Sequence, residues 1–70
     1  MNRLERLLNA HPWMDEEDAR SMLVAKYFLL TKVGDKVGPN VNAAMEEFTN
    51  ELIIMDEEKL RGAINFANRS

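Results

Sequence analysis

Cysteine is absent from this 70-residue chain, and its absence excludes several kinds of chemistry together. Disulfide bonds, cysteine-ligated zinc and thiol nucleophiles all need that residue. Histidine occurs once, as His11, and no glutamate stands three residues before it, so the Glu-x-x-His metal motif of helical bundles is missing too. We therefore predict a non-enzymatic protein with no catalytic residues, no metal site and no cofactor.

Long apolar runs and a strong charge of either sign are also lacking. The longest apolar stretch, from Met22 to Leu30, is interrupted by Lys26, whereas a membrane-spanning helix needs about 20 apolar residues. The first residues, MNRLERLLNAHP, interleave charges with leucines, unlike the apolar centre of a secretory signal. The net charge of −3 gives little attraction to nucleic acid or anionic lipid. We expect a cytoplasmic protein with no membrane contact and no direct nucleic-acid binding.

Glycine and proline are few, five in all, and four of them fall in two interruptions of the helical pattern. These are His11-Pro12-Trp13 and the stretch TKVGDKVGPN at residues 31–40. Elsewhere, apolar residues recur with the spacing of amphipathic helices. The sequence predicts a single all-α domain over residues 1–70, a small bundle of about four helices in the order short, long, medium, short. Their expected ranges are 2–10, 15–32, 40–55 and 57–68.

The second predicted helix is apolar around nearly its whole circumference in its later half. A helix of that kind is typical of one enclosed by others. We therefore expect the second helix to form the centre of the bundle, with the other three packed around it.

The tetrapeptide MDEE occurs twice, at residues 14–17 and 55–58. Aspartate is a favoured helix N-cap, and glutamates in the first turn favour the positive end of the helix dipole. Asp15 and Asp56 are therefore predicted to cap the second and fourth helices. The alternative is a calcium or magnesium loop, but neither copy has the alternating ligands and central glycine of an EF-hand.

Between Val37 and Glu58 the sequence has no lysine or arginine, and carboxylates accumulate there. This acidic face has one structural and one functional interpretation. It is either the solvated side of the third helix with a capped helix start, or a surface for a basic partner. In the second case the acidic face borders the apolar surface that binds a partner protein, or the chain is a small acidic inhibitor of the phage type that blocks a nucleic-acid-binding protein. The residues of the acidic face are Glu46, Glu47, Glu51, Glu57 and Glu58.

Two large apolar side chains fall outside the apolar stripes of their helices. Ile54 lies about 180° around the third helix from Met45, and Phe66 about 120° around the fourth from Leu60. Either a crossing element of the bundle or a partner must cover them, and exposed apolar residues of this kind are usual in binding surfaces. With Trp13, an aromatic residue of the kind enriched in binding hot spots, they form the predicted interface with a partner protein of unknown identity.

The small size of the chain favours self-association as well. A 70-residue domain without disulfides buries little apolar surface, and a second subunit is one way to add more. We expect a homodimer formed through the third and fourth helices.

The second interruption suggests one further possibility. Its free backbone N–H groups precede a helix, and lysines lie nearby, an arrangement that can hold an anion. Lys32, Lys36 and Gly38 are the residues of this candidate anion site, which would bind a small phosphorylated ligand. The loop is not a Walker motif, because no Gly-Lys-Ser/Thr sequence follows.

Overall fold

The computed structural model describes residues 1–33 and 40–69, and it confirms the all-α bundle. The described residues form helices and connecting turns, without strands. The four helices are α1 (Arg3–Ala10), α2 (Glu16–Val33), α3 (Val41–Ile54) and α4 (Glu57–Asn68).

The core draws on all four helices and on the turn that joins α1 to α2. Eight apolar side chains are buried among the described residues, together with Thr49. The hydroxyl of Thr49 donates to the carbonyl oxygen of Met45 at 2.7 Å, so this buried polar group is satisfied within α3. The eight apolar residues are Leu7, Met14, Ala19, Leu23, Met45, Leu52, Leu60 and Ile64.

Local sequence explains where the helices begin. Asn2 and Glu5 form a capping box at the start of α1. Asp56 accepts the backbone N–H of Lys59 at 2.8 Å, and Asp15 accepts that of Glu17 at 3.0 Å. The predicted capping roles of Asp15 and Asp56 are therefore confirmed.

The repeat extends beyond the tetrapeptide, to MDEExxR. In both copies the arginine pairs with the first glutamate, four residues earlier: Arg20 with Glu16, and Arg61 Nε with Glu57 Oε2 at 2.8 Å. Exposed pairs of this spacing stabilise a helix by about 0.3–0.5 kcal/mol. Each copy is thus a helix start that combines a cap with a side-chain pair.

The turn between α1 and α2 also closes the end of α3. Met14 N–H donates to the carbonyl oxygen of His11 at 2.9 Å, which forms a tight turn around Pro12. The ring Nε2 of His11 lies 2.8 Å from the carbonyl oxygen of Leu52, in the last turn of α3. Since that oxygen can only accept, Nε2 carries the proton, and buried His11 satisfies a carbonyl that the helix itself leaves unpaired.

The prediction that the other helices enclose α2 is wrong for the described residues. Its buried residues, Ala19 and Leu23, lie on one side, whereas four large apolar side chains of its later half are 50–60% exposed. The three other helices are too few and too short to surround an 18-residue helix. The exposed side chains are Val24, Tyr27, Phe28 and Leu29.

Candidate interaction surface

Ile54 is the most exposed of the large apolar side chains, at 83%. Ile54 is the last residue of α3 and lies on the side opposite to buried Met45, as expected for a residue outside the apolar stripe. Glu51 and Asn50 precede it by one helical turn, and side chains at that spacing are neighbours on a helix surface. Ile54 therefore presents an apolar group that is bordered by a carboxylate.

Phe66 is 78% exposed in the second half of α4, although Leu60 and Ile64 of the same helix are buried. One turn before it lies Gly62, where an added Cβ atom would meet nothing within 4 Å. The surface beside the phenyl ring is therefore open. A partner's backbone can approach α4 closely at this point, because no side chain separates it from the helix.

Trp13 differs from Ile54 and Phe66, because other side chains partly cover it. The Arg61 guanidinium carbon lies 4.2 Å from the centroid of its ring, and the His11 ring lies 5.6 Å away, tilted by 60°. Arg61 and Phe66 are five residues apart, which places them about 140° from each other around α4. Trp13 therefore lies against a different side of α4 from the one that carries Phe66.

Two carboxylates of the acidic face form ion pairs with arginines of the same chain. Glu46 joins α3 to α1, since its Oε2 accepts from Arg3 at 3.0 Å and from Arg6 at 2.6 Å. The hydrogen bond from Arg3 holds the pKa of Glu46 below its ordinary value of 4.5; partial burial opposes this shift, and Arg6 reinforces it. Glu57 is paired with Arg61 at the start of α4.

The other three carboxylates of the acidic face are Glu47, Glu51 and Glu58. All are exposed, and none forms an ion pair within residues 1–33 and 40–69. Glu47 and Glu51 line a shallow depression beside Lys26, whose ammonium lies 5.2 Å from the Phe48 ring centroid. Three of the five residues of the predicted acidic face therefore have no ion pair among the described residues.

Of the candidate anion site, Lys36 and Gly38 lie outside the described residues. Lys32 is exposed at the end of α2, and its ammonium stands 5.0 Å from the centroid of the Phe28 ring. This contact accounts for the position of Lys32 without a ligand.

An apolar groove between α2, α3 and α4 was not predicted from the sequence. Its single charged residue is Lys26. The sequence feature that could have indicated the groove is the apolar circumference of α2. We interpreted that feature as burial of α2 by the other helices. The groove is lined by Met22, Ala25, Lys26, Leu29, Phe48 and Ala67.

Within the described part of the chain, no three His, Asp or Glu side chains come together as metal ligands. None of its helices is long and apolar enough to cross a membrane. Neither a family model, nor a curated protein, nor a solved structure matches the chain.

Proposed function

We propose that the chain is a non-enzymatic, cytoplasmic interaction module that binds another protein through Ile54 and Phe66. The observation that carries this proposal is the contrast within α3 and α4. Leu52, Leu60 and Ile64 are at most 8% exposed, whereas Ile54 and Phe66 are about four-fifths exposed. Large apolar groups left in water beside a well-buried core favour association with another macromolecule.

The charges near this surface indicate the chemistry of the partner. Helix α3 carries no lysine or arginine, and Glu47, Glu51 and Glu58 have no ion-pair partner among the described residues. The complementary surface is an apolar pocket with lysine or arginine at its rim. Rim charges of this kind mainly increase the association rate and the selectivity, while the apolar side chains supply most of the affinity.

Quantitative affinity capture with the full chain as bait tests the proposal. Ile54→Ser and Phe66→Ser should each weaken capture of the same protein by about tenfold or more, the loss expected at an interface hot spot. Leu29→Ser is the matched control, because Leu29 is 56% exposed on α2 and lies on neither of the helices that carry Ile54 and Phe66. Circular dichroism verifies that each variant keeps its helices. Capture that survives both the Ile54 and the Phe66 substitution contradicts the proposal.

The second candidate is the acidic inhibitor of a nucleic-acid-binding protein, and the three unpaired carboxylates support it. Salt distinguishes the two functions, since exposed charges are screened within about 8 Å at physiological ionic strength. Binding through Ile54 and Phe66 should change little as salt is raised. Binding through Glu47, Glu51 and Glu58 should weaken steeply, and replacing all three with glutamine should abolish it.

A further inference from the structure

The outer side of α2 carries a seam that no helix of the described chain covers. Its residues share one face of α2 at 4, 3, 4, 3 spacing, and Val24 and Phe28 are its apolar members. All five are exposed, and Tyr27 and Lys32 flank them. The α2 seam consists of Glu17, Ser21, Val24, Phe28 and Thr31.

We propose that the α2 seam, rather than the third and fourth helices expected from the sequence, binds a second copy of this chain, with the two α2 helices antiparallel and a two-fold axis near Val24. The charge distribution along α2 supports this occupant. Its first turn contains only acidic charges, and its last turn carries Lys32. With the axis at Val24, Lys32 of each copy comes level with the first turn of α2 in the other copy, on the side that carries Glu17.

Side-chain sizes and hydrogen bonds also suit this arrangement. Ser21 is small and lies on the same side of the seam as Phe28 of the other copy, within one residue of its height, so that aromatic ring has room. The Thr31 hydroxyl lies 3.0 Å from the carbonyl oxygen of Tyr27 and 3.1 Å from that of Phe28, so its hydrogen bond is made within α2. A second helix can therefore cover Thr31 without leaving its hydroxyl unpaired.

The available area indicates a reversible dimer. Val24, Tyr27 and Phe28 are 60%, 50% and 55% exposed. Since an aromatic side chain offers about 150–250 Å² in total, these three residues leave roughly 300 Å² uncovered per copy. A standard interface buries about 800 Å² per partner, so flanking polar residues must contribute the remainder. We expect a dimer that dissociates on dilution.

Solution mass across a hundredfold dilution, measured by light scattering or sedimentation, tests the proposal. The wild type should approach twice the 8.1 kDa of one chain at high concentration and fall toward 8.1 kDa on dilution. Val24→Lys should remain monomeric, because it places two ammonium groups together at the axis. Ile54→Lys is the matched control on α3 and should dimerise like the wild type. A wild type that is monomeric throughout overturns the proposal, as does a dimer that Val24→Lys leaves intact.

Exchanging the charges of Glu17 and Lys32 tests the antiparallel pairing. The same exchange tests the dimer if Val24→Lys fails to fold. Glu17→Lys and Lys32→Glu should each weaken the dimer, because each places like charges opposite one another. The double variant Glu17→Lys/Lys32→Glu should restore dimerisation. A double variant as weak as either single one refutes the antiparallel arrangement.

The absence of cysteine permits an independent measurement of where the two-fold axis lies. Under oxidation, Val24→Cys should form a disulfide-linked dimer much faster than Ile54→Cys, since only residues near the axis come within the 4.4–6.8 Å between Cα atoms that a disulfide requires. Equal rates would contradict an axis at Val24. These experiments are independent of partner capture, so the dimer and the partner surface can fail separately.

Discussion

Gly62→Ala should stabilise the protein, and the structure supplies the magnitude. Gly62 lies in the middle of α4, where glycine costs about 0.8–1.0 kcal/mol relative to alanine. The new Cβ would meet no atom within 4 Å, so no steric term offsets the gain. For a domain of this size, a gain of 1 kcal/mol raises the melting temperature by about 4–8 °C.

Urea and thermal unfolding monitored by circular dichroism would measure the effect on the free energy of unfolding. The matched control is Ala25→Gly, which makes the reverse change at an exposed position within α2 and should destabilise by about the same 1 kcal/mol. If Gly62→Ala is neutral or destabilising while Ala25→Gly behaves as expected, the reasoning about α4 is refuted. If Gly62→Ala stabilises but also weakens partner capture, the open surface beside Phe66 serves binding.

Three further predictions concern the core, a cap and a charge. Leu60→Ala should lower the free energy of unfolding by about 2–5 kcal/mol, because Leu60 is completely buried. A domain of this length is expected to have roughly 4–10 kcal/mol of stability in total, so thermal unfolding should show a large loss. Asp56→Ala should cost about 1 kcal/mol in urea unfolding through loss of the α4 cap, and Asp56→Asn should retain most of it. Glu46→Gln should lower stability at neutral pH. The lowered pKa of Glu46 means that its ion pairs with Arg3 and Arg6 stabilise the fold above pH 4.5 and stop doing so as pH falls through the folded-state pKa. The difference between variant and wild type in urea midpoint should therefore shrink below pH 4.5, and a difference that is constant with pH would contradict this account.

The helices and their starting points could be predicted because they depend on residues close together in the sequence. Apolar spacing fixed the four helices, and the caps at Asp15 and Asp56 use backbone groups two or three residues away. The departure of Ile54 and Phe66 from the apolar stripes was predictable for the same reason, although the sequence left open whether another helix covers them. Each departs from the apolar stripe of its own helix, and a helix buries one stripe.

Contacts between distant parts of the chain could not be predicted in this way. The ion pairs of Glu46 join residues 43 and 40 positions apart, and nothing in the local sequence distinguishes Glu46 from its neighbour Glu47. The coverage of Trp13 by Arg61 depends likewise on how α4 crosses the turn after α1. The same limitation explains the wrong prediction for α2, because an apolar circumference indicates which surface must be covered but not which element covers it.

If a dimer through the α2 seam leaves Ile54 and Phe66 free on both copies, the assembly is bivalent. Bivalency raises apparent affinity only when two partner molecules are held close together, and typically by about 10²–10⁴-fold. Val24→Lys should therefore weaken binding to a densely immobilised partner and leave binding to the same partner in dilute solution unchanged. Phe66→Ser should weaken both, because it removes the contact itself. Equal weakening of both by Val24→Lys would instead mean that Val24 contacts the partner directly, and that α2 belongs to the partner surface.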